Sequence, residues 1–99
     1  MSQSAAHVLA ASLDAHGVDT AYCVPGESYL PLTDALIDFP NIKLIVCRHE
    51  GRAGYMAVAH ARLRNGPGVC VISRGPGAMN AAIALHVAYH DAEPVVFLV

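Results

Sequence analysis

Short apolar runs alternate with segments of helical period along this chain, and that alternation sets the kind of fold it can adopt. Ala21–Val24, Ile42–Cys47, Val69–Ile72 and Val95–Val99 are dense in Val, Ile, Leu and other apolar residues. Runs of this length without a regular polar alternate suit strands buried on both faces of a sheet. Between them the period changes to that of a helix. From Ser4 to about His16, residues Ala6, Leu9, Ala10 and Leu13 fall on one face, with Ser4 as the N-cap and Gly17 as the stop. Ser28–Ile37 places Tyr29, Leu32, Thr33 and Leu36 together. Glu50–Leu63 is a helix rich in small residues (Ala53, Gly54, Ala57, Ala59 and Ala61), a composition that lets another element approach closely. After the break Asn65-Gly66-Pro67-Gly68, Gly77–Tyr89 forms the last helix, and Pro94 opens the last strand. Strands and helices in this order imply βαβ units, an α/β fold with a parallel sheet, and right-handed crossovers.

The length of 99 residues suits one small domain, residues 1–99, with no linker, repeat or low-complexity stretch. At 55% hydrophobic residues, the chain carries more apolar surface than so small a core can hide. That excess points to more chain or to a partner subunit. The final run Val95–Val99 has no helix after it to cover it, so the fold reads as incomplete, the front part of a domain. A net charge of −2 without a basic run argues against nucleic acid as a partner. No apolar run is long enough to span a bilayer, and Met1–Leu13 lacks the basic start of a targeting segment. The three cysteines, Cys23, Cys47 and Cys70, sit in or at the ends of apolar runs without CxxC spacing. This suits reduced, buried thiols in the cytoplasm; the other reading is a redox or metal cluster built from neighbouring strands.

In a parallel sheet all strand-to-helix loops gather at the carboxyl edge, where ligands bind. Here those loops read Pro25-Gly26-Glu27, Arg48-His49-Glu50 and Ser73-Arg74-Gly75-Pro76-Gly77, roughly two dozen residues apart in sequence. The glycine loop lacks the third glycine of GxGxxG, and no P-loop is present. Its use is a close backbone approach to something flat or polar, with Pro76 setting the first helical turn and Asn80 projecting an amide from it. As structure alone, the same loop is an ordinary tight turn. Glu50 follows an apolar strand and opens a helix of small residues, which predicts a tight, poorly hydrated place. By itself a glutamate there is explained more simply by the helix dipole, which favours an acid at a helix start; the surrounding motifs shift that balance.

Taken together, these motifs resemble the thiamine diphosphate enzymes of the acetolactate synthase type. The resemblance runs through Val24-Pro25-Gly26-Glu27, then Arg48-His49-Glu50 with Ala53 and Met56-Ala57, then Arg74-Gly75-Pro76-Gly77-Ala78-Met79-Asn80, and ends in Ala88-Tyr89-His90-Asp91-Ala92-Glu93-Pro94-Val95-Val96. It implies a flavodoxin-like thiamine diphosphate-binding fold, of which this chain is the N-terminal part of the pyrimidine-binding domain. It also implies that Glu50 is the catalytic acid hydrogen-bonded to the aminopyrimidine. A proton shared there favours the imino form of the ring's amino group, which can then take the C2 proton of the thiazolium. The resulting ylide adds to the carbonyl of a 2-oxo acid, and the thiazolium then holds the electrons released by decarboxylation. Desolvation opposes the ionised carboxylate and the helix dipole supports it; the expectation is that burial wins. Pro25, Gly26, Pro76 and Asn80 would line the cofactor beside Glu50.

Further implications are Mg2+ held by residues outside this chain, a 2-oxo acid substrate and a homo-oligomer. The Gly-Asp-Gly…Asn motif for diphosphate and Mg2+ is absent; in the family it lies in a separate domain further on. Three departures qualify the match. Met79 stands where threonine is more usual, and Ser73 and Arg74 stand where some decarboxylases carry a histidine, which argues against a simple decarboxylase using that residue. His49 is a common neighbour of the glutamate and reads as structural. His86 and His90, at i and i+4, read as a solvent-facing pair. Two other functions fit the fold: a non-catalytic remnant or subunit that binds a partner chain, and a nucleotide-binding module unrelated to thiamine.

Overall fold

Ser4 opens the first helix by accepting the backbone N–H of His7 at 3.1 Å. This meets one of the donors that every helix start leaves without an internal partner. The structure, a computed structural model, describes residues 3–99; Met1 and Ser2 of the N-terminal stretch lie outside the described residues. In chain order the elements are α1 (Ala5–Ala15), β1 (Thr20–Cys23), α2 (Leu30–Leu36), β2 (Lys43–Val46), α3 (Glu50–Arg64), β3 (Gly68–Val71), α4 (Pro76–His90) and β4 (Val95–Leu98). The second helix starts later than its apolar face suggests. Residues before Leu30 are held in a turn, with the Leu30 N–H donated to the Glu27 carbonyl, and Pro31 fixes the first helical turn.

All four strands run parallel in the order β2-β1-β3-β4. The α/β architecture expected from the alternation is therefore present. Successive residues point to opposite faces. On one face Ala21, Cys23, Val69 and Val71 pack with Ala10 and Leu13 of α1 and Leu32 and Leu36 of α2. On the other, Tyr22, Cys70, Ile72 and Phe97 pack with Ala53 and Ala57 of α3 and Ala81 of α4. Burial on both faces holds along the whole of β3 only. The edge strands depart from it: Val46 of β2 is 60% exposed and Val96 of β4 is 42% exposed. Two helices cover each face, and the outer strands extend past that cover.

The small face of α3 does what its composition suggests. Ala53, Gly54, Ala57 and Ala61 are buried, whereas Ala59 points outward. Ala81, Ala84 and Ala88 of α4 are buried in turn. A β-carbon added at Gly54 would come within 2.5 Å of the Ala84 Cβ and 3.4 Å of the Phe97 ring. At the far end Arg62 clamps the α4–β4 connection by donating to Asp91 and Glu93, each at 2.8 Å. No helix among the described residues is long and apolar enough to cross a membrane.

The Gly54 contact gives a direct test of this packing. Overpacking typically costs about 1–3 kcal/mol, against about 1 kcal/mol gained when alanine replaces glycine inside a helix. Because the Ala84 Cβ is fixed to its backbone and cannot rotate away, Gly54→Ala is expected to lower stability in urea denaturation. An unchanged or raised midpoint would show that α3 and α4 separate freely.

Candidate functional site

The chain leaves β1 toward β2 on one side and β3 toward β4 on the other. The loops that follow β1 and β3 therefore start side by side and lead to helices on opposite faces. Such a divergence at the carboxyl edge is the place where open α/β sheets bind ligands. The two loops touch. A β-carbon at Gly26 would lie 2.9 Å from the Ser73 Cβ, and the Arg74 N–H donates to the Ser28 hydroxyl at 3.4 Å.

Glu50 stands at the first position of α3, and His49 caps that helix. Its ring Nδ1 accepts the Gly51 N–H at 3.0 Å, so His49 has the structural part expected of it. The Asn80 amide, carried on α4, donates to Glu50 Oε1 at 3.0 Å. Gly77 borders the same carboxylate: a β-carbon there would come 2.7 Å from Ser73 Oγ and 3.6 Å from Glu50 Oε2. Glu50 Oε2 accepts no hydrogen bond among the described residues. Gly75, at a φ of 75°, precedes α4 as its cap, and Pro76 occupies the first turn as expected.

The structure thus joins Glu50, Asn80 and Gly26 through Ser73 and Gly77. Pro25 and Pro76 stand exposed on the same two loops. The expected burial of Glu50 is not met: the residue is half-buried, and no polar or charged residue among the described ones is fully buried. The reason is its place at the start of a helix on the open edge of the sheet, where loops flank it but nothing lies over it. Pro25 and Gly26 also line a cavity of 140 Å³ with Tyr29 and Val46. A larger apolar one of 490 Å³ lies among Leu9, Tyr29, Leu32 and Phe97. Glu50 and Asn80 line neither. Among the described residues no group of three or more His, Cys, Asp or Glu is placed to hold a metal ion. His86 and His90 meet edge to face, with ring centroids 4.3 Å apart, on an exposed helix face.

Residues 3–99 match the family model described as "Thiamine pyrophosphate enzyme, N-terminal TPP binding domain". The chain belongs to this family. It is 40% identical over 85 residues to the large subunit of acetolactate synthase isozyme 2 of Escherichia coli, a match that covers 86% of this chain and 15% of that protein. It is 39% identical over 85 residues to the acetolactate synthase of Mycobacterium bovis, covering 86% and 14%. To the probable 2-ketoarginine decarboxylase of Pseudomonas aeruginosa it is 38% identical over 95 residues, covering 96% and 17%. The chain thus spans less than a fifth of the length of these relatives.

Beneath the loops of this thiamine pyrophosphate enzyme domain lies a floor of thiols. Cys23 and Cys70 are buried and Cys47 is half-buried. Cys23 faces α1 and α2 while Cys47 and Cys70 face α3 and α4, so the strands do not assemble the cluster considered as a second reading. Burial raises all three thiols from their ordinary value of 9.0, Cys70 to about 12. Burial likewise pushes the Tyr29 hydroxyl up. Such thiols are poor nucleophiles, as packing groups should be.

The sign of the resulting pH dependence follows. Above 9.0 the unfolded chain releases thiol protons that the folded chain keeps, so stability is whole below 9.0 and falls as pH rises toward about 12. The urea midpoint is expected to drop through that window, and Cys70→Ala is expected to flatten the drop. A flat profile in the unaltered chain would contradict the burial of these thiols.

Proposed function

We propose that this chain forms the pyrimidine-binding part of a larger thiamine diphosphate-dependent carboligase or decarboxylase acting on 2-oxo acids, with Glu50 as the residue that activates the cofactor. The observation that carries this reading is the Glu50–Asn80 pair at the carboxyl edge of the sheet. One carboxylate oxygen is held by the amide and the other is left to meet a ligand. The residues fit the cofactor's flat ring on the same grounds. Gly26 and Gly77 let the loop after β1 and the start of α4 close on Ser73 beside Glu50, and Glu50 Oε2 can share a proton with a ring nitrogen. Pro25, Gly26, Pro76 and Asn80 would flank that ring.

When bound, thiamine diphosphate supplies a thiazolium carbon that adds to a carbonyl and an electron sink for decarboxylation. The chain's own part is narrower. Asn80 fixes the Glu50 carboxylate, His49 caps the helix that carries it, and Glu50 holds and returns one proton. The named activities of the relatives, acetolactate synthase and 2-ketoarginine decarboxylase, support a 2-oxo acid as substrate. Diphosphate and Mg2+ would be held by residues beyond this domain. A homo-oligomer is supported by the apolar outer face of α3 and α4, where Leu63, Met79 and Tyr89 are 82%, 77% and 81% exposed. Reduced, packed cysteines favour a cytoplasmic setting.

The test is Glu50→Gln in the complete enzyme. Glutamine keeps the length and can hydrogen-bond, but it cannot deliver a proton. Exchange of the cofactor's C2 proton, followed by NMR at fixed cofactor saturation, is expected to slow by about 10²–10⁴-fold. A helix-start acid with no chemical part would cost at most about 1 kcal/mol of stability and leave exchange alone. Unchanged exchange would therefore remove Glu50 from the mechanism and favour a non-catalytic chain that keeps the fold and binds a partner.

A further inference from the structure

Ser73 touches both glycines of the candidate site. Its Cβ and Oγ would lie 2.9 and 3.3 Å from a β-carbon at Gly26, and its Oγ 2.7 Å from one at Gly77. The backbone does not demand glycine at either place, because the glycines with positive φ are Gly17 and Gly75. Gly77 even lies inside α4, where alanine is the better helix former. What a side chain would meet first is Ser73 in both cases: its Cβ, fixed to the backbone, at 26, and its hydroxyl at 77. Gly77 in turn borders Glu50 Oε2, so the same contact chain reaches the carboxylate.

We propose that Ser73 is a positioning residue, a wedge between the loop after β1 and the start of α4 that sets where Gly26 stands relative to the Glu50–Asn80 pair. Ser73 stands two residues past β3, the strand buried along its whole length, and between the other two. The loop at Gly26 and the first turn of α4 rest against it from either side. In the thiamine reading, this spacing is the width of the slot for the ring; that consequence rests on the function proposed above, whereas the wedge does not.

The geometry makes a prediction specific to individual atoms. Gly77→Ala and Gly26→Ala are each placed in the full chain with Ser73, with Ser73→Ala and with Ser73→Gly, and each protein is melted. With Ser73 present, Gly77→Ala is expected to lower Tm, by less than Gly26→Ala does, because the Ser73 hydroxyl can turn about its Cα–Cβ bond whereas its Cβ cannot move without the backbone. With Ser73→Ala the hydroxyl is gone and the nearest contacts are ordinary ones at 3.6 Å, so the same change becomes neutral or stabilising. Gly26→Ala behaves differently. Its clash is with the Cβ of residue 73, so Ser73→Ala leaves it costly and only Ser73→Gly relieves it, apart from the Tyr29 ring at 3.3 Å.

The second readout is the Asn80 side-chain amide in ¹⁵N NMR, which reports the pair and not the global fold. Gly77→Ala is expected to displace it, and Ser73→Ala in the same chain to return it. Should Gly77→Ala fail to fold, recovery of folding by Ser73→Ala is the same rescue. Equal Tm losses in all three backgrounds, or an Asn80 amide that stays in place, would overturn the wedge. Because these readouts need no cofactor, they can fail while the effect of Glu50→Gln stands, and the reverse outcome would remove the thiamine reading alone.

Discussion

A parallel strand cannot be followed directly by its neighbour; the chain must cross back over the sheet, and a helix does the crossing. In this chain that requirement organises nearly everything else. Crossovers to opposite sides put α2 on one face and α3 and α4 on the other, so β3 is buried throughout and holds the centre. Because β1 and β3 are neighbours whose connections diverge, their loops meet at one edge, where open α/β sheets bind ligands. The site is a consequence of strand order before it is a matter of side chains.

To that edge three loops deliver few polar groups, each from a different part of the chain. Glu50 comes from the start of α3, Asn80 from the first turns of α4, and Ser73 from the loop just after β3. Helices carry Glu50 and Asn80, which suits a site that must place one carboxylate oxygen accurately. The close α3–α4 packing through Gly54 and Ala84 serves the same end, since it fixes the two helices whose first turns carry Glu50 and Asn80. A looser helix pair would leave the hydrogen bond between them to chance.

Much of this was legible in the residues themselves. Periodicity marked every strand and helix, because buried parallel strands and small-faced helices leave strong local signatures. Ser4 as a cap and Pro76 as a first-turn proline were equally plain, since each acts on its own helix. Strand order was not legible, because it is set by which face each crossover covers, and no local pattern encodes that. The exposure of Val46 and Val96 follows from that order and was missed with it. For the same reason Glu50 was expected to be buried: its neighbours in sequence are apolar or small, while its neighbours in space are the mouths of two other loops. Ser73 attracted notice as a departure from the family pattern. Its contact with Gly26 joins residues far apart in sequence and could be seen only once β1 and β3 lay side by side.

The central claim is that the Glu50 carboxyl shares a proton with the pyrimidine ring of thiamine diphosphate. The most direct measurement is the ¹⁵N resonance of the ring nitrogen that faces Glu50, using labelled cofactor bound at saturation to the complete protein. In the unaltered protein the account predicts the chemical shift of a protonated or proton-sharing ring nitrogen. It predicts a return to the unprotonated position in Glu50→Gln. The same chemical shift in both proteins would contradict it.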